Sequence, residues 1–156
     1  MTDELGISET LAAALLIKFG WNTSLAKEKV LDSPSLATLV IKLFKFDPDA
    51  AKPATPDVCP SCYDEATEWV KIEDCGHQLC KDCYQNYLVS KLGDGHECVF
   101  AFCPDSNCNL YVPDHLFLQL LPKDLISKYE YFKCQSYVNL TKRSKFCPGT
   151  NCTKIC

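Results

Sequence analysis

No apolar run in this sequence approaches the length of a membrane-spanning helix. The longest covers residues 11–17 and ends at Lys18, whereas a span needs about 20 apolar residues. A secretory signal is missing as well, because Asp3 and Glu4 stand where a basic segment is required and no small-residue cleavage site follows. We therefore expect a protein of the cytoplasm, and also of the nucleus, with no membrane partner.

The sequence is also poor in positive charge. It has 16 Lys and Arg against 20 Asp and Glu, which gives a formal net charge of −4. The one basic cluster, residues 142–145, is interpreted as a solvated helix end. Binding to nucleic acid needs a basic face for the phosphates, so we expect no nucleic-acid partner.

Cysteine is absent from the first 58 residues, and all 12 cysteines lie from Cys59 to Cys156. Without a secretory signal disulfides are disfavoured, and dense cysteine then indicates bound metal. The composition, 47% hydrophobic and 23% charged, is that of a folded protein. This contrast predicts two regions that are stabilised by different physics.

The cysteine-free region, residues 1–46, is predicted to form a compact three-helix bundle. Ser8 is the expected N-cap of the first helix, and the second helix is expected to start after Asn22 or Thr23. Ser33 is the expected N-cap of the third helix, with Pro34 at its first helical position.

The rest of the chain divides by composition. The sequence predicts a proline-rich linker at 47–57, a zinc-binding finger at 58–110, a helical connector at 111–145 and a further, incomplete zinc module at 146–156. Within the connector, two helices are expected at about 114–121 and 123–140.

From Cys59 onward, cysteines and one histidine recur at metal-ligand spacing. The candidates, in chain order, are Cys59, Cys62, Cys75, His77, Cys80, Cys83, Cys103 and Cys108. A pair separated by two residues can present two sulfurs to one ion, and four such ligands close a tetrahedral zinc site. Eight ligands predict two zinc ions. Their binding would supply much of the folding free energy of so small a region.

The last pair of ligands has an alternative, because Cys98 and Cys103 have the same spacing as Cys103 and Cys108. We favour the second pair, since "CPDSNC" shares its Cys-Pro and Asn-Cys steps with "CPGTNC" at 147–152. Cys98 also lies in an apolar run that is typical of a core strand.

Other interpretations of some histidines and cysteines stay open. His77 could be a buried structural histidine, and Cys80 with Cys83 could form a redox pair. His96 and His115 have no metal-ligand neighbours and are read as surface or capping residues.

The order of the ligand pairs resembles that of a RING finger, whose two zinc ions are held in an interleaved cross-brace. The resemblance implies one site made by Cys59, Cys62, Cys80 and Cys83, and a second made by Cys75, His77, Cys103 and Cys108. A RING has no catalytic residue of its own, and its function lies in a shallow groove that binds a ubiquitin-conjugating E2 enzyme. The implied groove residues are Pro60, Ser61, Tyr84, Leu88 and Pro104. For Tyr84 and Leu88, ordinary core packing is an equal alternative.

The wider pattern resembles RING-between-RING ubiquitin ligases. The segments "CGHQLCKDCYQNYL", "FCPDSNC" and "KFCPGTNC" are most similar to the Ariadne subfamily, and "LLIKFGWNTSLAKEKVLDS" is similar to its UBA-like domain. The resemblance implies a mainly α fold with a small α+β zinc-binding RING, an N-terminal three-helix UBA-like bundle and a helical extension. Cys147 and Cys152 would be two ligands of an unfinished IBR site.

In such ligases the first RING docks the charged E2, and a cysteine in a third zinc module then accepts the ubiquitin. These 156 residues do not contain that module, so we expect a piece of a longer ligase. Its partners would be an E2 enzyme and ubiquitin or a ubiquitin-like protein. Two alternatives remain, namely a simple RING ligase or adaptor without its own thioester, and a structural zinc module. The bundle could also be a dimerisation element.

Overall fold

A computed structural model of the chain describes residues 5–47, 56–141 and 145. Most of the predicted linker, and the predicted IBR start with Cys147 and Cys152, lie outside the described residues. The helices are α1 (Glu9–Lys18), α2 (Thr23–Leu31), α3 (Leu36–Phe44), α4 (Lys81–Leu92), a 3-10 helix (Gly95–Phe100), α5 (Asp114–Leu120) and α6 (Lys123–Thr141), and the strands are β1 (Trp69–Lys71) and β2 (Gln78–Cys80). None of the described helices combines the length and hydropathy needed to cross a membrane. The described residues are thus mostly helical, with one small two-stranded sheet.

The first two helices begin where their capping residues predict. The Ser8 hydroxyl accepts a hydrogen bond from the N–H of Leu11 at 3.0 Å, and the Asn22 side chain accepts one from the N–H of Leu25 at 3.0 Å. Each bond satisfies a backbone donor that has no partner within the helix.

The predicted start of the third helix is wrong by two residues. Ser35, and not Ser33, is the N-cap of α3, because its hydroxyl accepts a hydrogen bond from the N–H of Thr38 at 3.1 Å. Ser35 has an extended backbone, with φ −155° and ψ 157°, as N-caps usually do. Pro34 therefore precedes the cap.

The cysteine-rich region is built on a short antiparallel hairpin. β1 pairs with β2 so that Trp69 lies opposite Cys80 and Lys71 opposite Gln78. α4 starts directly after β2, and the backbone N–H of Cys83 donates to the sulfur of Cys80 at 3.5 Å. Cys80 at the helix start and Cys83 in the first turn of α4 are thus brought close together.

Cys98 does not lie in a strand, contrary to prediction. It is fully buried in the 3-10 helix, which packs against α6, where the Ser136 hydroxyl donates to the His96 carbonyl. An apolar run of this length cannot by itself distinguish a strand from a buried helical segment.

The N-terminal helices pack on the cysteine-rich region and share its hydrophobic core. Phe44 at the end of α3 is buried, and its ring meets that of Tyr111 edge-on at 6.2 Å. The buried core is continuous from Ile7 in the N-terminal region to Tyr129 in α6. The helical region and the cysteine-rich region therefore share one hydrophobic core.

Candidate metal centre

Four cysteines converge at the base of the hairpin. The ligand atoms of Cys59, Cys62, Cys80 and Cys83 all lie within 4.8 Å of one another. A tight turn supplies the first two, in which the N–H of Tyr63 donates to the carbonyl of Cys59 at 2.8 Å. We call these four residues the first metal group.

Three cysteines and a histidine form a second metal group, which comprises Cys75, His77, Cys103 and Cys108. The sulfurs of Cys75 and Cys103 are 3.9 Å apart, and His77 Nδ1 lies 3.5 Å from the Cys103 sulfur. The two groups interleave along the chain as the RING pattern predicts. That these residues bind zinc stays a proposal.

Local turn chemistry positions the ligands of the second group. Gly76 stands between Cys75 and His77 with φ +72°, a region that side chains rarely adopt, and its N–H donates to the Ile72 carbonyl at 2.7 Å. On the other side, the Asp105 side chain accepts from the N–H of Asn107 at 2.9 Å, and the Asp105 carbonyl accepts from the N–H of Cys108 at 3.1 Å. A tight turn thus separates the last two ligands.

The electrostatics of the first group favour an anionic sulfur. Burial opposes ionisation of Cys59, but the backbone N–H groups of Cys80, Cys62 and Ser61 outweigh it and lower the pKa of this thiol to about 6. Zinc binds the thiolate form of cysteine. The anionic form is thus favoured at this one sulfur, whereas the pKa values of the other three thiols of the group are raised.

The thiols of the second group have very different pKa values. Hydrogen bonds from Cys103 and Cys75 lower the pKa of Cys108 to about 2. The Cys103 thiol favours ionisation of Cys75, but Cys108 and burial outweigh it and raise the pKa of Cys75 to about 12. Several thiolates side by side would repel one another, and a bound cation removes that cost. A set of four cysteines and a set of three cysteines with one histidine both fit tetrahedral zinc, so the two groups could each hold one ion.

The remaining described cysteines and histidines lie outside both groups. Cys98 is buried in the 3-10 helix and Cys134 is exposed on α6. His96 is half-buried beside Glu97, with 3.2 Å between Nε2 and the carboxylate, and His115 is exposed. The structure therefore groups Cys103 with Cys108 and leaves Cys98 apart.

A shallow groove of about 610 Å³ runs between the two metal groups. Three of the five predicted E2-binding residues, Pro60, Ser61 and Pro104, line it. Leu79 and Tyr87 line it as well, and the Tyr87 hydroxyl donates to the Phe102 carbonyl at 2.7 Å.

The structure contradicts the prediction for the other two groove residues. Tyr84 and Leu88 have 0% exposure and belong to the hydrophobic core, so they cannot contact a partner on this surface. The spacing of Tyr84, Leu88 and Leu92 at every fourth residue of α4 is that of a buried helix face. Tyr87, three residues after Tyr84, lies at the border of this buried face, and the periodicity alone would not have identified it as a groove residue.

Comparison with known proteins identifies the metal-binding region and its relatives. Residues 59–108 match the family of zinc fingers of C3HC4 type (RING finger). The chain is 26% identical over 151 residues to the probable E3 ubiquitin-protein ligase rbrA of Dictyostelium discoideum and 27% identical over 156 residues to the probable E3 ubiquitin-protein ligase ARI8 of Arabidopsis thaliana. It is 25% identical over 158 residues to the E3 ubiquitin-protein ligase arih1l of Danio rerio. These alignments cover 93% to 95% of this chain but only 26% to 29% of the relatives, so the chain spans a little over a quarter of their length.

Proposed function

The chain carries a RING-type zinc finger and is similar to Ariadne-like RING-between-RING ubiquitin ligases along nearly all of its length, and from this premise we propose that it docks a ubiquitin-charged E2 enzyme. The eight residues of the two metal groups would bind two zinc ions. The zinc has a structural role here, because four protein ligands leave no open position for chemistry.

The observation that carries this proposal is the groove between the two metal groups. Pro60 and Ser61 lie between ligands of the first group, Pro104 directly follows a ligand of the second, and Tyr87 on α4 lies in the same groove. Loops held by metal form a rigid surface, and a partner that binds a rigid surface loses less conformational entropy. Concave surfaces with apolar residues and a few polar groups are typical binding sites.

In the longer ligase we propose an acyl transfer, in which a cysteine of a further zinc module takes ubiquitin from the docked E2 and passes it to a substrate amine. Cys147 and Cys152 would begin the IBR that follows this RING. The 156-residue chain would then bind the E2 and would not form a thioester with ubiquitin itself.

The first test compares two proline variants in binding to E2 enzymes charged with ubiquitin. Pro104→Ala should weaken binding by roughly tenfold, since truncation at the centre of an interface costs about 1–2 kcal/mol. Pro34→Ala changes an exposed proline before α3 and should bind as the parent chain does. Native mass spectrometry should find two zinc ions in both variants. Equal binding by both variants, with zinc retained, would contradict docking in this groove.

A simple RING ligase is the second candidate, because the same groove would then activate the E2 directly. The two candidates differ in lysine discharge. The E2-docking proposal expects the chain to bind charged E2 without accelerating ubiquitin transfer to free lysine. Fast discharge to lysine by the isolated chain would favour the simple RING ligase.

The three N-terminal helices are proposed to be a UBA-like domain that binds ubiquitin or a ubiquitin-like protein. Their support is the similarity of this segment to the relatives, whose alignments include it. Titration of labelled chain with ubiquitin, followed by NMR, should shift signals of α1 to α3. If the helices instead mediate dimerisation, sedimentation should show a concentration-dependent dimer and ubiquitin should cause no shift.

A further inference from the structure

The C-terminal end of α3 is bonded to the second metal group. Phe44, its last residue, accepts a hydrogen bond through its carbonyl from the N–H of Asn109 at 2.8 Å. Asn109 directly follows the ligand Cys108. The last carbonyls of a helix have no partner within it, so this bond satisfies a group that α3 leaves open.

The N-terminal end of α1 makes a second bond of the same kind. The Ser8 hydroxyl, which caps α1, donates to the Asp74 carboxylate at 2.5 Å. Asp74 directly precedes the ligand Cys75. Two separate helix ends are thus bonded to residues adjacent to ligands of one metal group.

An apolar contact leads to a third ligand of the same group. The Phe44 ring meets Tyr111 edge-on, and Tyr111 stacks on Phe102 with ring centroids 5.0 Å apart. Tyr111 and Phe102 also form an isolated β-bridge, and Phe102 directly precedes Cys103. Beside the bridge, the N–H of Cys103 itself donates to the Leu110 carbonyl at 2.7 Å, so the contact with Phe44 is joined directly to this ligand.

The bonds around the first metal group run differently. The N–H of Cys59 donates to the Asp64 carbonyl at 2.9 Å, and the N–H of Lys81 donates to the Glu68 carbonyl at 3.0 Å. Both bonds stay within the cysteine-rich region. Among the described residues, the bonds beside the second metal group thus reach the N-terminal helices, and these bonds beside the first group do not.

We propose that metal bound by the second group fixes the N-terminal helices on the RING-type region, and that these helices in turn strengthen the binding of metal by that group. The proposal rests on the zinc ligands put forward above. Without metal, the segments at Asp74 and Asn109 lose their fixed positions, and about 40 residues of helix have too small a core to hold a fixed arrangement alone. Since coupling between two binding events is reciprocal, docking of the helices must favour metal binding by the same factor.

One arm of the test removes a ligand from each group. Cys75→Ser should accelerate hydrogen exchange of the amides in α1 and α3 by at least about fivefold, the lower bound of typical couplings. Cys62→Ser, at an exposed ligand of the first group, should leave exchange in these helices within about twofold of the parent. Acceleration of equal size in both variants would overturn the proposal, because it would reflect general destabilisation.

The other arm leaves all eight ligands in place, so it decides the matter even if both cysteine variants unfold. Phe44→Ala should weaken the affinity for one of the two zinc ions, measured by equilibrium competition with a chelator, by at least about fivefold. Ile41→Ala, on the same helix at 46% exposure, should bind both ions with the parent's affinities. An unchanged zinc affinity of Phe44→Ala would overturn the coupling. A parent chain with fewer than two zinc ions would instead contradict the ligand set itself.

Discussion

Removal of the Tyr129 side chain should strongly destabilise the fold, because this residue joins α6 to α5. Tyr129 is 2% exposed, and its ring stacks on Phe117 with centroids 4.4 Å apart. Its hydroxyl donates to the Asp114 carboxylate at 2.9 Å, which also receives Lys133 at 2.8 Å. Truncation of a buried aromatic costs about 3–5 kcal/mol. We therefore expect Tyr129→Ala to lower the free energy of unfolding by that amount in urea denaturation.

Two further variants separate the ring from the hydroxyl. Tyr129→Phe keeps the stack and loses one hydrogen bond to a carboxylate that retains Lys133, so the loss should be about 1–2 kcal/mol. Tyr131→Ala, on the same helix at 47% exposure, should change the free energy of unfolding by less than about 1 kcal/mol. A loss below about 1 kcal/mol for Tyr129→Ala would refute the assignment of this residue to the core.

The same residue should make stability depend on alkaline pH. Burial and the neighbouring Asp114 carboxylate raise the pKa of Tyr129 above its ordinary value. The unfolded chain then loses the phenol proton at about pH 10 while the folded chain keeps it, so this contribution to stability is complete below pH 10 and falls as the pH rises further. Above about pH 10, the parent should lose stability more steeply than Tyr129→Phe. Equal slopes for the two proteins would contradict burial of the hydroxyl.

Three further measurements test the N-cap of α3, the burial of Leu88 and the structural role of the metal. Ser35→Ala should lower the free energy of unfolding by about 1 kcal/mol, and Ser33→Ala should leave it almost unchanged. A larger loss for Ser33→Ala than for Ser35→Ala would show that Ser33 is the N-cap. Leu88→Ala should lower the free energy of unfolding by about 2–5 kcal/mol, because a buried side chain is removed, and should leave the E2 affinity of the folded molecules unchanged. The control Val89→Ala, at 37% exposure, should lower it by less than about 1 kcal/mol. Acidification should release zinc to a chelator and unfold the cysteine-rich region together, because the ligands must be deprotonated to bind; a folded region after complete zinc loss would contradict a structural role for the metal.

The sequence by itself determined the features that depend on neighbours along the chain. The spacing of Cys59 and Cys62, or of Cys80 and Cys83, is a property of a single turn, and the structure brings all eight predicted ligands into the two predicted groups. The caps at Ser8 and Asn22 are equally local. At Ser33, two serines compete for the cap within three residues, and propensity alone does not choose between them.

Only the tertiary structure decided which surfaces are covered. From the sequence, Tyr84 and Leu88 fit a groove and a core equally well, and the packing of the 3-10 helix and α5 on α4 places them in the core. The N-terminal helices meet the metal region through Ser8 and Asp74, which are 66 positions apart. No periodicity encodes such a contact, since it depends on how complete helices and metal loops fit together in three dimensions.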